Sequence, residues 1–289
     1  MKGAIIMTTT PTSSPAETTV GAFRRLDEIE SEQVFFVNVV DMWHATPAVR
    51  ANRLRTFALL DVAPGRQYLD IGCGTGDFAR ELAELVGPTG HVVGVDASEA
   101  MIAVARGRLE GTGLPVALQV ADAQALPFPD SRFDGCRTER VLQYLDHPDA
   151  ALSEMVRAVR TGGRVVATEP DWDSTICDLP GIDRGIWRRA MAAIGDDAGN
   201  AWMGRELYRR FHAAGLTDVA VEPTALILTD AGVLLDQAGA RRSIEKVCTL
   251  GAISREEADM LISTMIAASE AGDFFFSQGC YTASGTRPA

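Results

Sequence analysis

Residues 68–77 read YLDIGCGTGD, and this stretch decides the fold. An apolar stub, Tyr68–Ile71, runs into Gly72, Gly74 and Gly76, and a helical pattern over Phe78–Val86 follows. Glycines at that density let the backbone take positive φ and come close to a ligand. In an α/β protein the place for this is the turn between the first strand and its helix. Such a turn can hold a dinucleotide, a phosphate or another ligand, and the flanking segments have to choose.

Working outward, the alternation continues. The apolar runs His91–Val95, Val116–Val120, Phe133–Arg137 and Arg164–Thr168 read as strands, with helical patterns over Ser98–Leu109 and Ala150–Val159. Short apolar strands alternating with helices predict βαβ units and a parallel sheet covered on both faces. Residues 174–215 then read as mostly helical, Val219–Thr229 as a strand, 231–271 as helices and Phe274–Ser284 as a final strand. Upstream, apolar residues recur at helical spacing from Val34 to Leu60. Thr46-Pro47 breaks that run into two helices, with the proline near the first turn of the second. Residues 1–20, rich in Thr, Ser and Pro, lack the apolar content to fold and are predicted to be a disordered tail.

Composition narrows the function. With 46% hydrophobic and 23% charged residues, the 289-residue chain is an ordinary globular sequence. No apolar run approaches the roughly 18 to 20 residues of a membrane helix. The apolar part of MKGAIIMTTT falls short of a secretory core of about 7 to 15 residues. Cys73, Cys136, Cys177, Cys248 and Cys280 are scattered and free of any CxxC pair. They read as reduced thiols of a cytoplasmic protein. A net charge of −12 disfavours nucleic acid and anionic membranes as partners and leaves a small molecule as the expected ligand.

Dinucleotide folds use G-x-G-x-x-G, whereas G-C-G-T-G here is one residue tighter. The second run ends VVGVD, which places Asp96 twenty residues beyond Gly76, where a carboxylate can accept from both ribose hydroxyls of either kind of cofactor. The third ends QVADAQALPFPDSRFD, with Asp122 placed to accept from an exocyclic adenine amine and the Ala123 amide to meet a ring nitrogen. At this point the sequence resembles the class I S-adenosylmethionine-dependent methyltransferases, and within them the small-molecule branch that includes the ubiquinone- and menaquinone-biosynthesis enzymes. The resemblance rests on LDIGCGTG, VVGVDASEAMIAVAR, ADAQALPFPDSRFD and LSEMVRAVRTGGRVVATEP, in that order.

The resemblance implies a Rossmann-like, seven-stranded, mostly parallel sheet with an antiparallel last strand. It implies a helical lid over residues 21–66 and a methyltransferase domain over 67–289, with helical insertions around 174–215 and 231–271. It assigns Asp70, Gly72, Cys73, Gly74 and Gly76 to the methionine portion of the cofactor and Asp96 to the ribose. Ala97 and Met101 would flank the adenine, Asp122 and Ala123 would read its edge, and Arg137, Thr138 and Glu139 would face the sulfonium. Many relatives carry a histidine in the segment that reads VLQYLDHPD here; Gln143 and Tyr144 stand in its place, so a mechanism that uses that histidine is excluded.

Methyl transfer from a sulfonium needs mainly approach and alignment, with a base required only where the nucleophile must lose a proton. Glu169, in VVATEPDWDS at the carboxyl end of the fifth strand, is the candidate base. Its alternatives are a Mg²⁺ ligand together with Asp171 and Asp173, or an acceptor for loop amides. Trp43, Trp172 and Trp202, with His44 and His212, are candidates for the acceptor pocket, where aromatic faces can hold a flat apolar molecule or a cation; packing within the lid and insertion is the competing role. An Ala- and Arg-rich composition with few lysines points to secondary metabolism. A methyltransferase fold that binds the cofactor without methylating is the alternative function.

Overall fold

The computed structural model describes residues 18–28 and 32–289. Five parallel strands form the body of the sheet: β1 (Gln67–Ile71), β2 (His91–Asp96), β3 (Val116–Val120), β4 (Phe133–Glu139) and β5 (Val159–Pro170), in the order β3-β2-β1-β4-β5. The chain moves out from β1 to β3, then returns to β4 on the other side of β1. That reversal opens a crevice at the carboxyl ends of β1 and β4, where open α/β sheets bind their ligands.

Three further strands finish the sheet: β6 (Ile176–Cys177), β7 (Thr217–Leu228) and β8 (Phe276–Thr286). β8 runs antiparallel to β5 along one edge and to β7 along the other. The two residues of β6 continue beyond the end of β5 on the same edge of β8. Among the described residues the sheet therefore has eight strands, one more than the sequence predicts, because a two-residue strand carries no periodic signal of its own.

Alternation along the strands supplies both faces. Tyr68, Val92 and Val166 turn to one side and pack on Phe57 of α3 (Pro47–Leu59), on Leu60 at its C-cap, and on Phe78, Leu82 and Val86 of α4 (Asp77–Val86). Leu69, Ile71, Val93, Val95, Val165 and Ala167 turn to the other. They meet Leu152 and Met155 of α6 (Pro148–Ala158) and Leu207 and Phe211 of α8 (Met203–Ala213). Each large apolar side chain buried this way contributes about 1.5–3 kcal/mol. The strand β2 is followed by α5 (Glu99–Leu109), whose N-cap Ser98 accepts from the Met101 amide.

The remaining helices build a roof. Before the sheet come α1 (Thr19–Ala22), a 3-10 turn over Phe23–Glu28, and α2 (Gln33–Ala45), which is followed by α3. Thr46 caps α3 and Pro47 opens it, as the sequence requires. α7 (Arg184–Ala198), α9 (Ala240–Thr249) and α10 (Arg255–Ala271) pack with the ends of β7 and β8 around a second core that includes Trp187, Ile194, Ile244 and Met265.

Two expectations change. Residues 1–17 of the predicted tail lie outside the described residues, but Thr18–Val20 are built into the roof. Thr18 donates from its amide and hydroxyl to Asp197 Oδ2, and Thr19 bonds Ser243 Oγ and the Gly239 carbonyl. Polar Thr side chains are buried here because each finds a partner. The insertion expected over 174–215 also divides: α7 belongs to the roof, whereas α8 lies on the sheet, with Gly204 so close to the end of β5 that a Cβ there would come within 2.8 Å of the Glu169 carbonyl.

Candidate functional site

The glycine loop forms the floor of a cavity of about 680 Å³ at the carboxyl ends of β1, β2 and β4. Gly72 and Gly74 hold φ of +69° and +51°. The Gly72 amide donates to Val95 O at 2.7 Å, and the Gly74 amide to Asp96 Oδ2 at 2.8 Å. A Cβ on Gly72 would stand 2.1 Å from Val141 Cγ2, whereas one on Gly74 would meet nothing nearer than 3.8 Å. Gly72 is thus fixed by packing, and Gly74 leaves open space on the cavity side. Gly76 does not line the cavity. Its φ of +84° starts α4, and a Cβ there would press on Ala105 at 3.0 Å, so its role is helix packing.

Three acidic residues mark the cavity. Asp70 is fully buried, and neither of its carboxylate oxygens has a hydrogen-bond partner among the described residues. Its nearest charge is Arg137 Nε at 3.2 Å, in an ion pair that does not reach hydrogen-bond geometry. Burial pushes the Asp70 carboxyl above its usual range, against the pull of Arg137. An unsatisfied buried acceptor costs on the order of 1–3 kcal/mol, which a ligand ammonium would relieve. Asp96 accepts from the Gly74 and Ser98 amides, and burial likewise raises its pKa. Asp122 is exposed on the rim, and its carboxylate accepts from the Gln124 amide at 2.8 Å. Cys73, Ala97, Met101 and Ala123 complete this wall.

On β4, Arg137 and Glu139 face the cavity and pair with each other at 3.1 Å. Thr138 is buried and lies outside the cavity wall, because successive strand side chains point to opposite faces. His44 lines this first cavity, with Nδ1 3.1 Å from Asp77 Oδ2, a bond that holds the Asp77 carboxyl below its usual range. It stands on the side of the glycine loop, away from the pocket predicted for it.

A second cavity, of about 80 Å³, adjoins the first. Phe23, Trp43, Arg140 and Tyr144 line both. Its own wall is apolar and aromatic, with Trp172, Trp187, Ile194 and Phe276. The indole N–H groups are already used: Trp172 Nε1 donates to Gln143 Oε1 and Trp187 Nε1 to Thr175 O, each at 3.0 Å. The structure therefore brings Trp43 and Trp172 together in this wall and leaves Trp202 and His212 out of it. Trp202 stands half exposed at the start of α8 beside Arg205, and His212 lies exposed on the same helix against Tyr208. The α8 repeat Met203, Leu207, Phe211 faces the core and sends both outward. Sequence reasoning missed Arg140, Tyr144, Phe23 and Phe276. Trp187 was also missed, although Ile186, Trp187, Ala190, Met191 and Ile194 form a helical apolar stripe.

Glu169 lines neither cavity. Fully buried, it accepts the amides of Val141 (2.9 Å), Leu142 (2.7 Å) and Gln143 (3.4 Å), in the turn that follows β4. Burial raises its pKa to about 7 in spite of these bonds. Of the three roles open to it, the geometry matches the acceptor for loop amides, and the base role is withdrawn. The Mg²⁺ role fails as well: Asp171 turns away to Arg205, which it bonds through both oxygens, and Asp173 reaches the same guanidinium at 3.4 Å. Among the described residues, no group of three or more His, Cys, Asp or Glu could hold a metal ion.

Comparison with known proteins accords with this geometry. Residues 69–163 match the family model described as a methyltransferase domain. The chain is 36% identical over 218 residues to an uncharacterized 37.1 kDa protein in transposon Tn4556 of Streptomyces fradiae, covering 74% of this chain and 62% of that one. It is 42% identical over 117 residues to the ubiquinone/menaquinone biosynthesis C-methyltransferase UbiE of Cupriavidus necator, covering 40% of this chain and 48% of that one. The chain thus spans about half to three-fifths of the length of these relatives. Phosphoethanolamine N-methyltransferase 2 of Haemonchus contortus, solved with phosphomonomethylethanolamine and S-adenosylhomocysteine, shares the fold at a TM-score of 0.60 and 21% identity, over 92% of this chain and 60% of that one. Over residues 69–163 the chain thus carries a methyltransferase domain.

Proposed function

We propose that the protein transfers a methyl group from S-adenosylmethionine to a small, predominantly apolar or aromatic acceptor. The observation that carries this reading is the junction of two unlike cavities: one floored by the glycine loop and three carboxylates, the other walled by tryptophans. Asp70, with neither oxygen hydrogen-bonded, suits the cofactor's ammonium, Asp96 its ribose, and Asp122 with Ala123 its adenine. When bound, S-adenosylmethionine supplies an electrophilic methyl on a sulfonium. What the chain contributes is placement. Phe23, Trp43 and Tyr144 stand at the boundary of both cavities, where they exclude water and align an acceptor. Fixing two reactants in a near-attack geometry can contribute on the order of 7–11 kcal/mol.

The composition supports a setting in the cytoplasm and in the tailoring of specialised metabolites, with neither nucleic acid nor membrane as partner. Among the described residues, no helix is long and apolar enough to cross a membrane.

Calorimetric titration with S-adenosylmethionine, with NAD as comparison, tests the first half of the reading. We expect binding of the former and none of the latter. The second half is tested by S-adenosylhomocysteine release in the presence of a panel of apolar phenols, acids and ketones. Cofactor binding without turnover against any of them would favour a non-methylating activity of the same fold, and NAD binding would overturn the assignment.

A further inference from the structure

The second cavity contains one group that its apolar wall does not explain. Arg140 lines both cavities at their junction, and its carbon Cζ lies 5.1 Å from the Trp43 ring centroid. Among the described residues its guanidinium has one hydrogen bond, from Nη2 to Cys280 Sγ at 3.7 Å, and no ion pair. The contrast with Arg137 is direct, since that residue pairs with both Asp70 and Glu139. The carboxylate of Glu169 cannot serve, because it is held by the amides of residues 141–143. Among the described residues, no Asp, Glu, Lys or second Arg lines the small cavity. A guanidinium with five N–H donors and a fixed charge stands here with its donors almost unused.

The backbone holds it there. Arg140 has φ of +56°, a left-handed conformation that non-glycine residues rarely adopt. Its amide donates to Thr168 O at 2.9 Å, and the next three amides are fixed by Glu169. Strained backbone of this kind persists where the surroundings over-determine it, and such sites cluster around ligands.

We propose that the methyl acceptor is an apolar acid: its body fills the tryptophan-lined cavity, and its anionic oxygen pairs with Arg140. This deepens the methyl-transfer reading and rests on it. A carboxylate or an ionised phenol would supply the charge that the wall lacks, and a carboxylate can take the guanidinium fork with both oxygens. The same geometry argues against a cationic acceptor. The Trp43 face that could hold an ammonium is occupied by the guanidinium, and a second positive charge beside it would be repelled. Tyr144, at the same junction, is kept protonated by burial and can add a hydroxyl donor toward the same oxygen.

Benzoate and benzamide test this, being nearly the same size and differing in charge. Trp43, Trp172 and Trp187 line the cavity, so tryptophan fluorescence reports binding; both probes are titrated at pH 7.5 with saturating S-adenosylhomocysteine. We expect the wild-type protein to bind benzoate at least tenfold more tightly than benzamide. Arg140→Met should abolish that preference, Arg140→Lys should retain part of it, and both should bind S-adenosylhomocysteine within about threefold of wild type. Equal binding of the two probes, binding of neither, or a preference that survives in Arg140→Met overturns the proposal. If Arg140→Met does not fold, the wild-type ratio and Arg140→Lys decide. Failure of S-adenosylhomocysteine to bind would defeat the underlying methyl-transfer reading, whereas its binding without a benzoate preference would defeat this inference alone.

Discussion

Replacing Glu169 by glutamine removes a titrating group while leaving an oxygen in the cradle formed by the Val141 and Leu142 amides. Burial raises this carboxyl from 4.5 to about 7, a difference of roughly 2.5 units. At 1.36 kcal/mol per unit, that is about 3 kcal/mol of pH-dependent stability. The sign follows from the direction. The folded protein holds this proton more tightly than the unfolded chain, so the contribution is fully present below pH 4.5 and is lost as pH rises toward 7. Urea unfolding at pH 5, 6, 7 and 8 measures the difference between wild type and Glu169→Gln, in which titrations shared by both proteins cancel. We expect the difference to move by about 2–3 kcal/mol against the wild type between pH 5 and pH 8. A difference constant within about 0.5 kcal/mol would mean that the three amides keep the carboxylate ionised throughout, and the reasoning would fail. A positioning role further requires that turnover in Glu169→Gln fall without a change in the shape of its pH profile. Loss of a limb near pH 7 would restore the base.

Other perturbations test the cavity floor. Asp96→Asn removes a charged acceptor, and S-adenosylmethionine affinity should fall at least tenfold by calorimetry, in line with the roughly 1.5–3 kcal/mol of hydrogen bonds to charged groups; an unchanged affinity would remove Asp96 from the site. Gly72→Ala and Gly74→Ala form a matched pair. The first adds a clash with Val141 to an unfavourable φ and should cost about 2–4 kcal/mol in denaturant unfolding, whereas the second should cost about 1–2 kcal/mol, from the φ alone. Equal losses would show that the Val141 contact relaxes freely. Turnover should be unchanged by EDTA, because the Asp171 and Asp173 carboxylates are engaged by Arg205; restoration of lost activity by Mg²⁺ would contradict this.

The parallel strands were legible because they are short apolar runs that alternate with helical patterns, and β3 begins and ends where the sequence places it. The break between α2 and α3 was legible for a local reason: Thr46 caps and Pro47 can only start a helix. The glycine loop, Asp70, Asp96 and Asp122 were legible because loop, strand end and spacing together set their positions. Side-chain direction was harder to read, though part of it was available. Alternation on β4 sends Arg137 and Glu139 to the cavity and Thr138 away, and the Met203, Leu207, Phe211 repeat sends His212 to solvent. No local signal could say that Glu169, Asp171 and Asp173 diverge, since their partners lie 28 positions upstream and 34 downstream in the chain.

The turn after β4 shows why the part that escaped the sequence matters most. Val141 packs on Gly72, so this turn helps to shape the cofactor floor. The residues beside it, Arg140 and Tyr144, stand in the wall of the second cavity. Glu169 holds the three amides between them from the end of β5, and Gly204 lets α8 close over that strand end. A buried carboxylate that touches neither cavity therefore sets the position of residues in both. In the sequence its place at a strand end beside a proline resembled that of a base, because the same position serves either role and only the direction of the side chain separates them. That direction also makes the two defects distinguishable. Loss of the Glu169 clamp should weaken cofactor and acceptor binding together, whereas loss of the Arg140 charge should weaken only the acid.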